Sequence, residues 1–211
     1  MWSGGKDSAL ALHRAHEAGI EVTRLLTFYD GATGRVRFHA TRQEMIAKQA
    51  EATGVGQWLG IGSSWAEMDD QLAQELGKLR DADVVGVVFG DIHLADVRAW
   101  YEDRVKAAGL EHLEPIWGAP SADLLKEFVE VGGRAVVTCV DTSRLDASWL
   151  GRIVDERFVD EIAVTGVDAC GENGEYHTFA FQGPMFTRPV GWQPGETRSE
   201  SRFIQLDVVP A

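Results

Sequence analysis

The chain has 211 residues, 45% of them hydrophobic and 25% charged, with a formal net charge of −13 at pH 7. That length suits one large domain or two small ones. The acidity argues against a nucleic-acid partner, whose phosphates would call for a basic face.

No apolar stretch approaches the roughly 20 residues that span a bilayer, and Met1-Trp2-Ser3 reads without a secretory leader. Two cysteines, Cys139 and Cys170, are too few for a disulfide framework, so a cytoplasmic protein is expected.

Short apolar runs alternate with helical stretches, which predicts an α/β domain with a mostly parallel sheet. Asp7 to Ala18 reads as a helix, with Leu10, Ala11 and Ala15 on one face and Gly19 at its stop. Glu21 to Tyr29 reads as a strand, Thr41 to Thr53 as a helix closed by Gly54, and Trp58 to Ile61 as a short strand. Trp65 to Leu79 is expected to be helical, because Met68, Leu72, Leu76 and Leu79 recur at helical spacing. Val84 to Phe89 is a near-continuous apolar run, as for a strand buried on both faces. A helix from Leu94 to Ala108 follows, ended by Gly109. A domain boundary is expected between a unit of residues 1–117 and one of 118–211, within the segment from Pro115 to Pro120. Beyond it, Ser121 to Val131 reads as a helix that Ser121 caps, and Asp155 to Val164 as another. Strands are expected at Ala135 to Val140, Tyr176 to Phe181 and Phe203 to Val209.

Ser3-Gly4-Gly5-Lys6-Asp7-Ser8 opens the first helix. Two adjacent glycines let the backbone turn tightly and bring N–H groups close to an anion. The helix start adds unpaired N–H groups and a positive dipole end. Ser3 and Ser8 supply hydroxyls, Lys6 a charge, and Asp7 either a Mg²⁺ ligand or a helix cap. The plain alternative is a glycine turn with an Asp cap, but all six residues together favour phosphate binding. The spacing is not that of the Walker loop, whose glycines lie further apart. It resembles the PP-loop of the N-type ATP pyrophosphatase superfamily. The resemblance implies ATP cleavage between the α- and β-phosphates, an adenylated substrate, and Mg²⁺ offsetting the charge of the departing pyrophosphate. In such folds a buried strand runs into the loop, yet only Met1 and Trp2 precede Ser3. A trimmed start is therefore expected, with a frayed or repaired N-terminus beside the site.

Three further segments carry candidate chemistry. In Phe38-His39-Ala40-Thr41, His39 and Thr41 are placed to contact a nucleotide, or else Thr41 is a helix cap and His39 a surface residue. Gly90-Asp91-Ile92-His93 ends the most buried strand, where open α/β sheets bind ligands; Arg98 and Tyr101 share a face of the next helix. Cys170-Gly171-Glu172-Asn173-Gly174-Glu175-Tyr176-His177-Thr178-Phe179 reads either as a decorated hairpin turn or as a site. In the second reading Glu172, Glu175 and His177 bind a cation or work as acid and base.

In this order the segments resemble the diphthine–ammonia ligase family, which carries Ser-Gly-Gly-Lys-Asp-Ser near the start and a Gly-Glu-x-Gly-Glu-Tyr-type motif near the end. Leu110 to Gly118 and Ser148 to Arg152 look like further landmarks, and the resemblance runs from Trp2 to about Pro189. It implies an adenine-nucleotide α-hydrolase-like (HUP, Rossmann-like) parallel sheet with helices on both faces, plus a smaller C-terminal α+β domain. It also implies adenylation of a carboxylate of diphthine, a modified histidine on a translation elongation factor, followed by displacement of AMP by ammonia.

Carried over by residue, Ser3, Gly4, Gly5, Lys6, Asp7, Ser8, His39, Thr41 and Gly90 would bind ATP, and Asp7 would hold Mg²⁺. Asp91, Arg98, Tyr101, Glu172, Glu175 and His177 would face the carboxylate-bearing substrate, with Lys6, Asp7, Glu172 and Glu175 as the catalytic set. A homodimer is compatible with this reading. Gly90 to Tyr101 departs from the Tyr-Gln-Arg-like segment of diphthamide-forming ligases and looks like the bacterial branch. The adenylation chemistry is therefore carried over and the diphthine substrate is not. Two rival readings are a PP-loop tRNA-modifying enzyme and a nucleotide sensor without turnover. The first is opposed by the acidity and by the lack of a Cys-x-x-Cys pair.

Overall fold

The computed structural model describes residues 1–36, 39, 41–62 and 65–211, with the side chains of 65 and 66 left aside. In chain order the elements are α1 (Lys6–Glu17), β1 (Arg24–Asp30), β2 (Arg35–Val36), α2 (Gln43–Thr53), β3 (Gly56–Ile61), α3 (Trp65–Asp81), β4 (Gly86–Val88), α4 (Ala95–Ala107) and β5 (Glu111–Leu113). Then follow α5 (Ser121–Glu130), β6 (Arg134–Asp141), β7 (Ile153–Val154), α6 (Glu156–Ile162), β8 (Tyr176–Gln182), β9 (Trp192–Glu200) and β10 (Phe203–Pro210), with a short 3₁₀ turn at Ala147–Trp149.

The N-terminal half holds two parallel pieces of sheet. β1 and β3 pair from Arg24 with Gly56 to Tyr29 with Ile61, and β4 pairs with β5 from Gly86 with Glu111 to Val88 with Leu113. Parallel neighbours need a crossover connection; α2 supplies it between β1 and β3, and α4 between β4 and β5. The helical spacing of Met68, Leu72, Leu76 and Leu79 does what the sequence predicts. All four are buried in one cluster with Leu26, Phe28, Val87 and Phe89, and burying each leucine contributes about 2 kcal/mol.

Between β1 and β4 lies the extended start of the chain. Trp2 N donates to Leu26 O at 2.7 Å, Thr27 Oγ1 donates to Trp2 O at 2.7 Å, and the Met1 amino group donates to Val88 O. The start is thus pinned rather than frayed, and burial pushes the Met1 amino group down to about 5. Behind it a groove of about 420 Å³, lined by Leu25, Leu26 and Val84 to Val88 among others, separates the two parallel pieces. This corrects the expectation of one long, doubly buried strand from Val84 to Phe89. The ladder itself is limited to Gly86–Val88, with Glu111 N donating to Val85 O at 2.9 Å and Phe89 N to Leu113 O at 2.8 Å at its ends, and the Val85 side chain is 77% exposed.

The C-terminal half is a five-stranded antiparallel sheet in the order β7-β6-β10-β9, with β8 also paired to β6. Its inner face shares one hydrophobic cluster with α1, α2 and α5. α1 therefore lies where both halves meet, and the loop before it faces β8. The caps of α5 and α6 differ. Asp155 caps α6, accepting from Phe158 N at 2.9 Å. Ser121 does not cap α5: the cap position is Pro120, and the Ser121 hydroxyl is drawn to Asp168 Oδ2 at 2.7 Å instead.

Candidate active site

The loop at residues 3–8 is held from three sides. Gly4 has φ +81, and a Cβ there would meet Gln49 Oε1 at 2.6 Å, so both conformation and space require glycine. Its carbonyl accepts from Ala180 N at 2.8 Å and from Gln49 Nε2 at 2.9 Å. Ser8 Oγ donates to Gly5 O at 2.9 Å, and Gly5 N donates to Ser3 Oγ at 3.3 Å. No side chain caps α1, so Asp7 is not the cap. The first-turn N–H groups of a helix lack intrahelical acceptors and sit at its positive dipole end, which makes this a ready anion site.

Lys6 is buried at 2% exposure. Its backbone N–H donates to Thr178 Oγ1 at 3.1 Å, and its ammonium donates to Asp7 Oδ2 at 3.0 Å and to Cys170 O. Burial opposes this charge, but Asp7 and the surrounding groups outweigh it and hold the ammonium above its ordinary range. The motif at residues 170–178 is therefore the other wall of the phosphate loop.

That wall is built around Asp168, whose Oδ1 accepts from Cys170 N at 2.9 Å and from Glu172 N at 3.1 Å. Glu172 Oε1 in turn accepts from Ile92 N at 2.9 Å, tying the wall to the Gly90–His93 turn. Burial pushes the Glu172 carboxyl up to about 7; the Ile92 N–H works against the rise, while Asp7 and Asp91 add to it. Glu175 has another environment. It is completely buried, paired with Arg144 at 3.0 Å and facing Asp168 N at 3.4 Å. His177 stacks 4.8 Å from His39, whose Nδ1 lies 3.2 Å from Thr178 O. Burial pushes both imidazoles below their usual value.

Gly90 closes the third side. A Cβ there would lie 3.0 Å from the Asp7 carbonyl carbon and from Ser8 N, so the turn abuts the loop backbone as only glycine allows. Burial pushes Asp91 up to about 6, with the Met1 amino group opposing and Asp7 assisting. Arg98 and Tyr101 lie further along α4. Arg98 turns to Glu114, at 2.6 Å, and lies over the Trp117 ring at 4.6 Å; Tyr101 packs 5.0 Å from Phe89. Thr41 is buried, its hydroxyl 3.4 Å from His39 O, while Phe38 and Ala40 lie outside the described residues.

The structure thus gathers residues 3–8, His39, Gly90, Asp91, Glu172, His177 and Thr178 at one place. Sequence reasoning overlooked Gln49, Thr178 and Asp168. Gln49 is fully buried and bridges Trp2 Nε1, Gly4 O and Ala180 O at 2.9, 2.9 and 2.6 Å. The available signal was a polar residue at helical spacing from the apolar Met45 and Ile46, since a buried polar group is the informative one.

The profile of the diphthamide synthase N-terminal domain matches residues 1–112, and that of the diphthamide synthase C-terminal domain matches residues 120–201. Among curated proteins, the diphthine–ammonia ligase of Homo sapiens is 31% identical over 212 residues, spanning 89% of this chain and 79% of its own length. The diphthine–ammonia ligase of Danio rerio is 27% identical over 217 residues, spanning 89% and 83%, and that of Bos taurus is 24% identical over 212 residues, spanning 89% and 79%.

Proposed function

Because the chain belongs to the diphthamide synthase family, we propose that it is an ATP-dependent ligase that adenylates a substrate carboxylate and converts it to an amide with ammonia. The relatives' name gives diphthine and ammonia as the pair joined, and diphthine is the carboxylate proposed here. The observation that carries the residue-level reading is the convergence of three distant segments. The loop at 3–8, the Gly90–Ile92 turn and the 168–178 wall are bound directly to one another. A nucleotide's phosphates would be received by Ser3, Gly4, Gly5, Ser8 and the first turn of α1.

The residues fit ATP with Mg²⁺. Among the described residues no three His, Cys, Asp or Glu side chains are grouped to hold a metal alone, but Mg²⁺ is ordinarily held by one or two carboxylates together with substrate phosphates. Asp7, 26% exposed at its side chain and ion-paired to Lys6, is the carboxylate in position. When bound, the cation would neutralise the departing pyrophosphate.

The substrate carboxylate oxygen attacks the α-phosphorus, and the bond from that phosphorus to the bridging oxygen breaks, releasing pyrophosphate against the loop and Lys6. Ammonia then attacks the acyl carbon. The bond to the AMP oxygen breaks, giving amide, AMP and one proton. We assign His39, His177, Asp91 and Glu172 to the reacting groups because they gather beside the loop. Arg98 and Tyr101 face the substrate further out along α4, and Thr41 holds the His39 segment on the nucleotide side. Glu175 acts through the Asp168 N–H and Arg144, supporting the wall from beneath.

We read residues 1–117 as an adenine-nucleotide α-hydrolase-like ATP-binding unit and 118–211 as the α+β substrate unit, a division that follows the two profile matches. No helix among the described residues is long and apolar enough to cross a membrane, and a cytoplasmic enzyme, tested as a homodimer by sedimentation, is the corresponding proposal. Sulfur transfer is disfavoured by the cysteines themselves. Burial pushes Cys139 up to about 11 and raises Cys170, the reverse of an activated thiolate.

The test is ATP–pyrophosphate exchange with a diphthine-bearing elongation factor in the absence of ammonium. Exchange that needs the carboxylate supports adenylation; ATP binding without exchange on this or any other carboxylate supports a sensor instead.

A further inference from the structure

Eight buried side-chain nitrogen or oxygen atoms among the described residues have no hydrogen-bond partner, and five of them belong to one place: Asp91 Oδ2, Arg98 Nε, His112 Nε2 and both Glu114 oxygens. Buried polar groups are satisfied almost everywhere in folded proteins, so such a concentration marks a place made to meet something polar. Glu114 and His112 have side-chain exposures of only 4% and 2%, so bulk water is not their partner. Their Oε1 and Nε2 stand 3.7 Å apart. Arg98 Nε approaches Glu114 Oε2 to 2.6 Å but off the line that a hydrogen bond needs.

The position is functional in kind. Glu114 directly follows β5, and Asp91 lies three residues beyond β4, so both stand beyond the carboxyl ends of parallel strands. Asp91 is electrostatically coupled to Asp7 of the phosphate loop on one side and to Glu114 on the other. Phe89, Tyr101 and Trp117 supply aromatic walls: Phe89 lies 5.0 Å from Tyr101 and 4.6 Å from His112, and Arg98 covers Trp117.

The balance of charge names the ligand class. Asp91 acts electrostatically on both Glu114 and Glu172, with Glu102 behind Arg98, while the cations among them are Arg98, held by Glu102 and Glu114, and Lys6, ion-paired to Asp7. Burial pushes the Met1 amino group and His112 down as cations and pushes the Asp91, Glu114 and Glu172 carboxyls up, so a cation bound among them would favour their charged forms. Acidic side chains set between aromatic faces attract a small cation.

We propose that Asp91, Glu114 and the aromatic wall around them form an ammonium-binding subsite that delivers the amine of the ligase reaction. The proposal rests on the ligase reading and adds where the second substrate is held. The bound ammonium gives one proton to the Asp91 carboxylate, which frees its lone pair. The nitrogen attacks the acyl carbon of the adenylate, and the carbon–oxygen bond to AMP breaks with its electron pair on AMP. A second N–H proton leaves to the Glu172 carboxylate, giving the neutral amide. Glu114 is not placed at the reacting atoms; it holds the cation and sets Arg98.

Two measurements test this, and they fail separately. The first uses ¹⁵N-labelled ammonium chloride as the probe, at constant ionic strength with sodium as the replacement. The full chain broadens the ¹⁵N signal saturably; Glu114→Gln and Asp91→Asn weaken that binding at least about tenfold. Equal binding by all three proteins, or none by the unmodified chain, overturns the subsite. Should Glu114→Gln fail to fold, Asp91→Asn decides, since its side chain lies in a turn. The second is steady-state amide formation on a diphthine-bearing elongation factor. In Glu114→Gln the KM for ammonium rises about tenfold while that for ATP stays within about twofold. The two KM values moving together overturns the assignment. A chain that binds ammonium yet forms no amide contradicts the ligase reading, not the subsite.

Discussion

Replacing Gln49 by Leu keeps the side chain's volume and removes only its hydrogen bonds. The amide joins three groups: it accepts from Trp2 Nε1 at 2.9 Å and donates to Gly4 O at 2.9 Å and to Ala180 O at 2.6 Å. Gly4 O keeps the Ala180 N–H, but the Trp2 indole, 3% exposed, is left as a buried donor. Orphaning such a group costs about 1–3 kcal/mol. With two groups deprived and about 1 kcal/mol returned by the added apolar burial, the net loss is about 1–5 kcal/mol. For a chain of this size that lowers Tm by about 2–20 °C. Because one of the lost bonds fixes Gly4, ATP affinity should also fall about tenfold, equivalent to about 1.4 kcal/mol. Differential scanning calorimetry and titration calorimetry with Mg-ATP read the two effects. A Gln49→Leu protein that melts within 1 °C of wild type, by about the error of such a scan, and binds ATP equally well would refute the idea that this amide fastens the phosphate loop.

Gly90→Ala should fold yet bind ATP poorly, because its Cβ would press on the Asp7 and Ser8 backbone at 3.0 Å; unchanged ATP affinity in equilibrium dialysis would contradict the contact. Glu172→Gln should alter the pH dependence of stability. Burial raises the folded Glu172 carboxyl to about 7, so its contribution is fully present below the unfolded value near 4.5 and is lost as pH rises through 7. The variant should therefore gain on wild type above pH 7 and match it at pH 4, as urea unfolding at both pH values would show. Asp207 behaves oppositely. Burial pushes it up, but Arg35 and Arg42 outweigh that and hold it far below the carboxylate range, so its stabilisation is present above about pH 4 and lost on acidification. Asp207→Asn should cost about 2–3 kcal/mol at pH 7, below the full value for a buried pair because Arg42 is 40% exposed. A loss that persists undiminished at pH 3 would rule this out.

Most of the helices were legible because their apolar periodicity matches what each buries, as Met68 to Leu79 illustrates. Strands that live by pairing alone were not. β9 reads Trp-Gln-Pro-Gly-Glu-Thr-Arg-Ser-Glu and is almost wholly exposed; it is a strand because β10 supplies hydrogen bonds, and no alternation of apolar residues announces it. Val84 to Phe89 failed the other way, since an apolar run says nothing about whether a neighbour is there to cover it. At the site, the glycines and charged residues of the loop stood out by type. Gln49, Asp168 and Glu114 act through a partner dozens of residues away, or through burial, and a linear pattern carries neither. Glu175 shows the converse limit: its motif flagged it, but only packing shows that it lies wholly beneath the wall.

The central claim is that the loop at residues 3–8 directs cleavage to the bond between the α- and β-phosphates. The most direct measurement is product analysis of ATP turnover on a diphthine-bearing elongation factor with ammonium chloride, comparing the unmodified chain with Lys6→Ala and Asp7→Ala. AMP and pyrophosphate equal to the amide formed, with AMP lost in both folded variants, is the predicted result. ADP and phosphate as products, or undiminished AMP from both variants, would contradict it.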